Sequence, residues 1–247
     1  MSKQTQLACF NIIDHFALSA GLTQTDQWQQ WAKTLDWPQD NQIDVHHIPP
    51  MMRRRMSSLS KLAVQTALEL LAKHEIDYLV FASRHGELKR SANLIKDIVQ
   101  GEEASPMAFS QSVHNTAAGL TTIAAKKAIP ATSIAAGLNT FQSAIIDAWL
   151  YLTEHPNHKV LVIDFDEPAP EPYQQYVQNE YQGYALGMVL NHGDTIAITA
   201  KQDKKQASAT NTLPQGLDFL QYYLNDHREW RLNNNLQGWT WTRSSLS

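Results

Sequence analysis

Residues 105–148 read SPMAFSQSVHNTAAGLTTIAAKKAIPATSIAAGLNTFQSAIIDA, and the order of elements in this stretch decides the fold. Thr116–Lys127 is a run of small residues with the length of a helix. Ala131–Ile134 has the length and composition of a short strand, and from Phe141 to Leu152 apolar residues return at helical spacing. Helix, strand, tight turn and helix in succession form the repeating unit of a parallel sheet. The turn itself, Ala135-Ala136-Gly137-Leu138-Asn139-Thr140, has the small residues of a sharp reversal but no nucleophile at its apex. Ser133 lies two residues inside the strand, where packing is expected, and the single cysteine of the 247-residue chain is Cys9, far upstream.

The same alternation extends in both directions. Leu7–Ile13 is an apolar run of strand length, and Trp28, Trp31 and Ala32 fall on one face of a short helix within Thr25–Trp37. Ile48-Pro49-Pro50 breaks the pattern. Ser57–His74 then carries Leu59, Leu62, Ala63, Ala67, Leu70 and Leu71 at helical spacing, Asp77–Ala82 is a strand apolar on both faces, and Glu87–Gln100 is a further helix. Val160–Ile163 is the next buried strand, running into Asp164-Phe165-Asp166-Glu167. Tyr184–Leu190 and Thr195–Thr199 are expected as a hairpin-like pair. Lys204–Thr212 is polar and loop-like, and Leu217, Leu220, Tyr223 and Leu224 mark a last helix.

Composition excludes several classes of function. Apolar content of 43% and charge content of 18% are those of a soluble globular chain. A net charge of −4 argues against nucleic-acid binding, and one cysteine rules out a disulfide framework or a cysteine-based zinc site. The N-terminus lacks the pattern of a secretory signal. The most apolar segment, Ala131–Leu152, is interrupted by Asn139, Gln142 and Asp147, so no membrane insertion is expected and the cytoplasm is the expected location.

Isolated motifs favour structural roles. Ser83-Arg84-His85-Gly86-Glu87 after a strand reads as a turn with polar caps. Asp164, Asp166 and Glu167 can hold magnesium in principle, but no phosphate-binding loop accompanies them, so capping and solvent exposure are expected. Arg53, Arg54 and Arg55 form the one dense positive cluster, suited equally to an acidic partner or to flanking a helix. His46-His47 has no partner at metal-ligand spacing, so both are expected at the surface; no metal and no cofactor is expected.

Taken in order, these residues resemble the N-terminal half of β-ketoacyl synthases of the thiolase superfamily. The likeness is greatest to the short ketosynthase-like proteins of bacterial aryl-polyene and related type II polyketide systems. It rests on Arg53–Ala63 leading into the first long helix, Ser83–Glu87, Ser105-Pro106, Phe109, Ser112, His114-Asn115, Ala117-Ala118-Gly119, Val160–Glu167 and Tyr184–Leu190. The resemblance implies an α/β fold, a layered α-β-α thiolase-like half with a mostly parallel mixed sheet and no complete C-terminal thiolase half. Residues 1–200 are expected to form the ketosynthase-like domain, and 201–247 a polar loop and C-terminal extension packed on it.

Two departures from the family pattern bear on activity. Counting back from Ala144 and Ala148 puts Leu138 at about the family's nucleophilic cysteine, and leucine cannot attack a thioester. The C-terminal half, which in the superfamily supplies the residues that assist decarboxylation and bind the oxyanion, is not expected in this chain. The resemblance therefore implies no catalytic residue. It implies a chain-length-factor-like subunit that pairs with a full-length ketosynthase, shapes the acyl tunnel across a heterodimer interface, and meets an acyl carrier protein through the complex. Phe109, Ser112, Val113, His114 and Thr116 are the expected tunnel and interface residues, with Arg53, Arg54 and Arg55 as partner-binding residues. The alternatives are an independently active acyl-transfer enzyme using Cys9 or Ser133, and a carrier-protein-binding scaffold.

Overall fold

Tyr78–Ala82 (β2) and Lys159–Asp166 (β4) are the buried centre of the molecule, because their side chains are apolar on both faces and both faces are covered. The computed structural model describes residues 5–40, 42–171, 173–176, 181–201, 213–233 and 238–244. Around β2 and β4 lie β1 (Thr5–Ser19), α1 (Thr25–Thr34), α2 (Pro50–Arg53), α3 (Ser58–Leu71), α4 (Leu88–Val99), α5 (Pro106–Ser110) and α6 (Thr116–Ala125). They are followed by β3 (Ala131–Ile134), α7 (Thr140–Glu154), β5 (Tyr184–Lys201), α8 (Gln215–Leu224), β6 (Glu229–Asn233) and β7 (Gly238–Arg243). One seven-stranded sheet runs in the order β3-β2-β4-β5-β7-β6, with β1 also paired to β5. β2 is parallel to β3 and β4, while β1, β4 and β7 are all antiparallel to β5.

The sheet separates two apolar layers. On one face Val80, Val160 and Val162 meet Phe141, Ala144, Ile145, Ala148 and Leu152 of α7, together with Trp28 and Trp31 of α1 and Leu217, Phe219 and Leu220 of α8. On the other, Leu79, Phe81, Leu161, Ile163 and Phe165 meet Leu59, Leu62, Ala63, Ala67 and Leu70 of α3 and Ala117 and Ala118 of α6. α3 starts where the Ser57 hydroxyl accepts the Ser60 N–H, an N-cap of the usual kind. Trp28 and Trp31 fall on the predicted inner face of α1, and the Trp28 indole N–H donates to the Ala17 carbonyl at 2.8 Å.

Two expectations are corrected. Leu7–Ile13 belongs to a much longer strand, and Tyr184–Leu190 with Thr195–Thr199 are one strand rather than a hairpin. The turn-like residues 191–194 between them sit at a break in register, where Phe10 faces Ile196 but Asn11 faces Asn191. The Asn11 side chain fills that break, donating to the His192 carbonyl and accepting from the Thr195 N–H and hydroxyl. A Cβ on Gly193 would overlap this amide. β4 and β7 then share the remaining edge of β5, at residues 184–191 and 196–201. The polar stretch 204–212 lies outside the described residues. No helix among the described residues is long and apolar enough to cross a membrane.

Candidate functional site

The turn after β3 begins with Gly137 at φ +58, a left-handed backbone that glycine adopts without strain. Gly137–Asn139 makes one 3₁₀ turn. Thr140 then locks it, its hydroxyl accepting the Ala136 N–H at 2.9 Å and donating to the Gly137 carbonyl at 2.8 Å. The one hydroxyl of the turn is thus committed to the backbone and buried. Leu138 stands 46% exposed, and Ala135 and Ala136 are exposed beside it. Nothing in residues 135–140 offers an activated nucleophile, which requires an attacking atom beside a base. The Ser133 hydroxyl is buried in β3 without a hydrogen-bond partner. Cys9, expected buried, is half-exposed, since β1 turns Ala8 and Phe10 inward and Cys9 to the opposite face.

The surface leading to and from this turn is apolar. α4 buries only Leu94 and leaves Ile95, Ile98 and Val99 in solvent, the last 80% exposed. Phe109 (66%), Met107, Val113 and Ile123 are exposed as well, so most of the large apolar side chains exposed among the described residues fall between 95 and 138. Leaving each in water forgoes about 1.5–3 kcal/mol. Among the described residues β3 ends the sheet, pairing with β2 on one side and presenting an unpaired backbone edge on the other.

The residues of 109–116 divide into two groups. Phe109 and Val113 point out. Ser112, His114 and Thr116 hold the segment in place. The Ser112 hydroxyl donates to the Phe109 carbonyl, the Thr116 hydroxyl to the Val113 carbonyl, and His114 Nε2 lies 2.7 Å from the Ser83 carbonyl. His114 also packs against Gly86, where an added Cβ would stand 2.9 Å from its ring.

The acids of this region are each bonded inside the fold. Asp166 accepts from the Ser83 hydroxyl (2.8 Å) and from the Arg84 (2.9 Å) and His85 N–H groups, and Ser83 in turn accepts the Gly86 N–H. Glu87 accepts the hydroxyls of Ser57 and Ser60 at the start of α3. Asp164 accepts the Tyr184 hydroxyl at 2.6 Å, and Gly216 of α8 lies so close that a Cβ there would overlap Asp164 Oδ2. The turn with polar caps is therefore as expected. The solvent exposure expected of Asp164 and Asp166 is not: they are 2% and 5% exposed, because Gly216 of α8 and Tyr184 close over Asp164 and the Ser83–His85 turn wraps Asp166.

Burial pushes Asp164 up to about 8, offset only in part by Tyr184, and Asp166 up to about 6, its three donors resisting more. Both values lie above the unfolded carboxyl's value of about 3.9, so the native state holds these protons more tightly. Stability then falls as pH rises, beginning near pH 4 and continuing through the folded values of about 6 and about 8, above which it levels. Asp164→Asn, a neutral mimic, is expected to flatten that decline. Urea unfolding at pH 5 and pH 9 checks it: wild type should lose on the order of a few kcal/mol more than the variant.

Arg53 is committed to the fold, its guanidinium donating to the Ile48 carbonyl at 2.5 Å and the His46 carbonyl at 3.2 Å; Arg54 and Arg55 are exposed. His46 and His47, treated in sequence as unpartnered, do have a partner: Glu69 of α3, whose carboxylate lies within reach of both rings. A small cavity beside α1 and α8, lined by His15, Trp28, Leu220 and Leu224 among others, holds about 30 Å³, room for a water and not for an acyl chain.

Comparison with known proteins agrees with this geometry. The sequence model of the family described as Beta-ketoacyl synthase, N-terminal domain, matches residues 28–242. Among solved structures, a chain from the ketosynthase ApeO in complex with its chain length factor ApeC, from Xenorhabdus doucetiae, superposes with a TM-score of 0.84 at 31% identity. That match covers 95% of this chain and 99% of that one. The ishigamide ketosynthase/chain length factor gives a TM-score of 0.60 at 15% identity over 81% of this chain and 68% of the other. A β-ketoacyl synthase from Burkholderia phymatum gives 0.56 at 11% identity over 90% and 71%. The last two bear on the fold alone. Comparison with curated protein sequences yields no match.

Proposed function

Because the chain belongs to the β-ketoacyl synthase family, with its thiolase-like α/β fold, we propose that it is a non-catalytic, chain-length-factor-like subunit. It pairs with an active ketosynthase in polyketide biosynthesis of the aryl-polyene type and walls off the tunnel that receives the growing acyl chain. The observation that carries this is the turn at Leu138. At the turn where the family likeness puts a nucleophile stands an exposed leucine, next in the chain to a sheet edge left unpaired among the described residues and to an apolar surface left bare.

A role in shaping a neighbour's tunnel needs bulk and complementarity rather than an activated side chain. Phe109 and Val113 supply that bulk, while Ser112, His114 and Thr116 fix the backbone that presents them. β3 and the exposed side of α4 supply apolar contact, toward the roughly 800 Å² per partner of a stable interface. Similarity to a chain of nearly equal length in the ApeO–ApeC complex supports the same role. The carrier protein then meets the complex, with the exposed Arg54 and Arg55 as its contacts on this subunit. Residues 1–200 are the ketosynthase-like domain and 201–247 its C-terminal extension, whose described strands β6 and β7 join the same sheet; the location is cytoplasmic.

Co-expression with a full-length ketosynthase of the aryl-polyene type tests the proposal. A stable 1:1 complex is expected, with malonyl elongation on carrier protein by the complex and none by this chain alone. Elongation by the purified chain alone would refute the non-catalytic role.

A further inference from the structure

We propose that His46, His47 and Glu69 form a binding site for a first-row divalent cation, of which zinc is the best fit, with Asp44 as the orienting residue. Both imidazoles turn the same ring atom toward one carboxylate oxygen: Glu69 Oε2 lies 3.0 Å from His47 Nε2 and 3.6 Å from His46 Nε2. One hydrogen bond would need only one of these rings. Two zinc bonds of about 2.05 Å at the tetrahedral angle separate their ligand atoms by about 3.3 Å, a value the two distances bracket. The three ligand atoms all lie within 4.8 Å of one another.

The surroundings are those of a prepared site. Asp44 Oδ1 sits 2.9 Å and Gln65 Nε2 3.3 Å from His46 Nδ1, so the ring is held from its Nδ1 side with Nε2 facing the site; a carboxylate behind a metal-bound histidine orients it in the same way. Lys73 holds the other Glu69 oxygen, Oε1, at 2.8 Å and so leaves Oε2 to the cation. The loop is fastened before any ion arrives. Ile48 is fully buried against Val64 and Leu68, the His47 N–H donates to Gln65 Oε1, and Arg53 ties the carbonyls of His46 and Ile48. With the backbone already ordered, little conformational entropy is lost on binding. The His47 and His46 side chains are 35% and 55% exposed, so the cation has access and solvent can fill the fourth position. Imidazole nitrogen with carboxylate oxygen is a donor set for zinc rather than for magnesium or calcium.

The ligands all belong to this chain, so the test needs no ketosynthase and is independent of the partner proposal. Zinc alone is titrated into the full-length, untagged chain, and binding is read by calorimetry and by metal content after dialysis. One zinc per chain is expected. His47→Ala and Glu69→Gln should each lower affinity by about 100-fold or more, and Asp44→Asn by about ten-fold. His192→Ala, an exposed histidine elsewhere, should change nothing. Circular dichroism of the metal-free variants separates loss of the site from loss of the fold. An affinity for zinc that survives in folded His47→Ala and Glu69→Gln within ten-fold of wild type, or that falls equally in His192→Ala, overturns the proposal.

Discussion

Phe109→Asp is expected to abolish assembly with the ketosynthase while leaving the isolated chain folded. Phe109 is 66% exposed on α5, so the change alters little inside the monomer, where surface substitutions stay within about 0.5 kcal/mol. In the complex the same position would bury an unpaired carboxylate among Val113, Met107 and the exposed residues of α4. Loss of a central aromatic anchor costs about 2–4 kcal/mol, or roughly 30- to 1,000-fold in affinity, before the buried charge is counted. Co-purification and size-exclusion chromatography read the outcome. Tyr176→Asp, equally exposed but outside residues 95–138, serves as the control and should assemble normally. An undiminished complex with Phe109→Asp would remove this surface from the interface.

Gly216→Ala should be the most damaging single methyl group in the chain. The added carbon would overlap Asp164 Oδ2, lie 2.8 Å from its Cγ and approach the Tyr184 hydroxyl, all of them buried. α8 must then lift or Asp164 must leave its hydrogen bond, and overpacking combined with a broken buried bond costs about 3 kcal/mol or more. For a chain of this size that lowers the melting temperature by roughly 6–12 °C. Asp164→Ala in the same chain makes room for the methyl group, so the double variant should be more stable than the two single effects summed, by about 1 kcal/mol or more. A melting temperature for Gly216→Ala within about 2 °C of wild type would mean that α8 packs less closely than the structure has it.

The elements that sequence identified well are those whose pattern is local. Val160–Ile163, Leu79–Phe81 and the Leu59–Leu71 spacing announce their burial by themselves, and the order of helices and strands between 58 and 166 follows from them. What escaped notice depends on residues far apart. His-Gly-Asp at 192–194 reads as a turn because nothing nearby reveals that Asn11 will fill the break in register. Asp164 reads as a surface acid because Gly216 and Tyr184, which enclose it, come much later in the chain. Trp230, Trp239 and Trp241 sit in a segment with no assigned pattern, yet all three join the core from the C-terminal hairpin, Trp230 and Trp241 against Phe219. The candidate site was legible in one sense: the absence of a nucleophile at 135–140 is a fact of sequence. Exposure of Leu138 and Phe109 was not, since a run of apolar residues reads alike whether it faces a core or a partner. Glu69 was missed beside His46 and His47 because it reaches them by tertiary folding.

The pairing of β1 with β5 has a consequence for biogenesis. The Ser19 hydroxyl bonds the Gly183 carbonyl 164 residues away, and the register continues outward from there to Thr5 and Ala200. β1 leaves the ribosome well before its mate. At about 5–20 residues per second the delay is roughly 10–30 s, during which an apolar strand of the nascent chain has no native neighbour. Contacts so distant in sequence also close slowly once the chain is free. Production of this protein is therefore expected to depend on chaperones that shield β1 until β5 has been made.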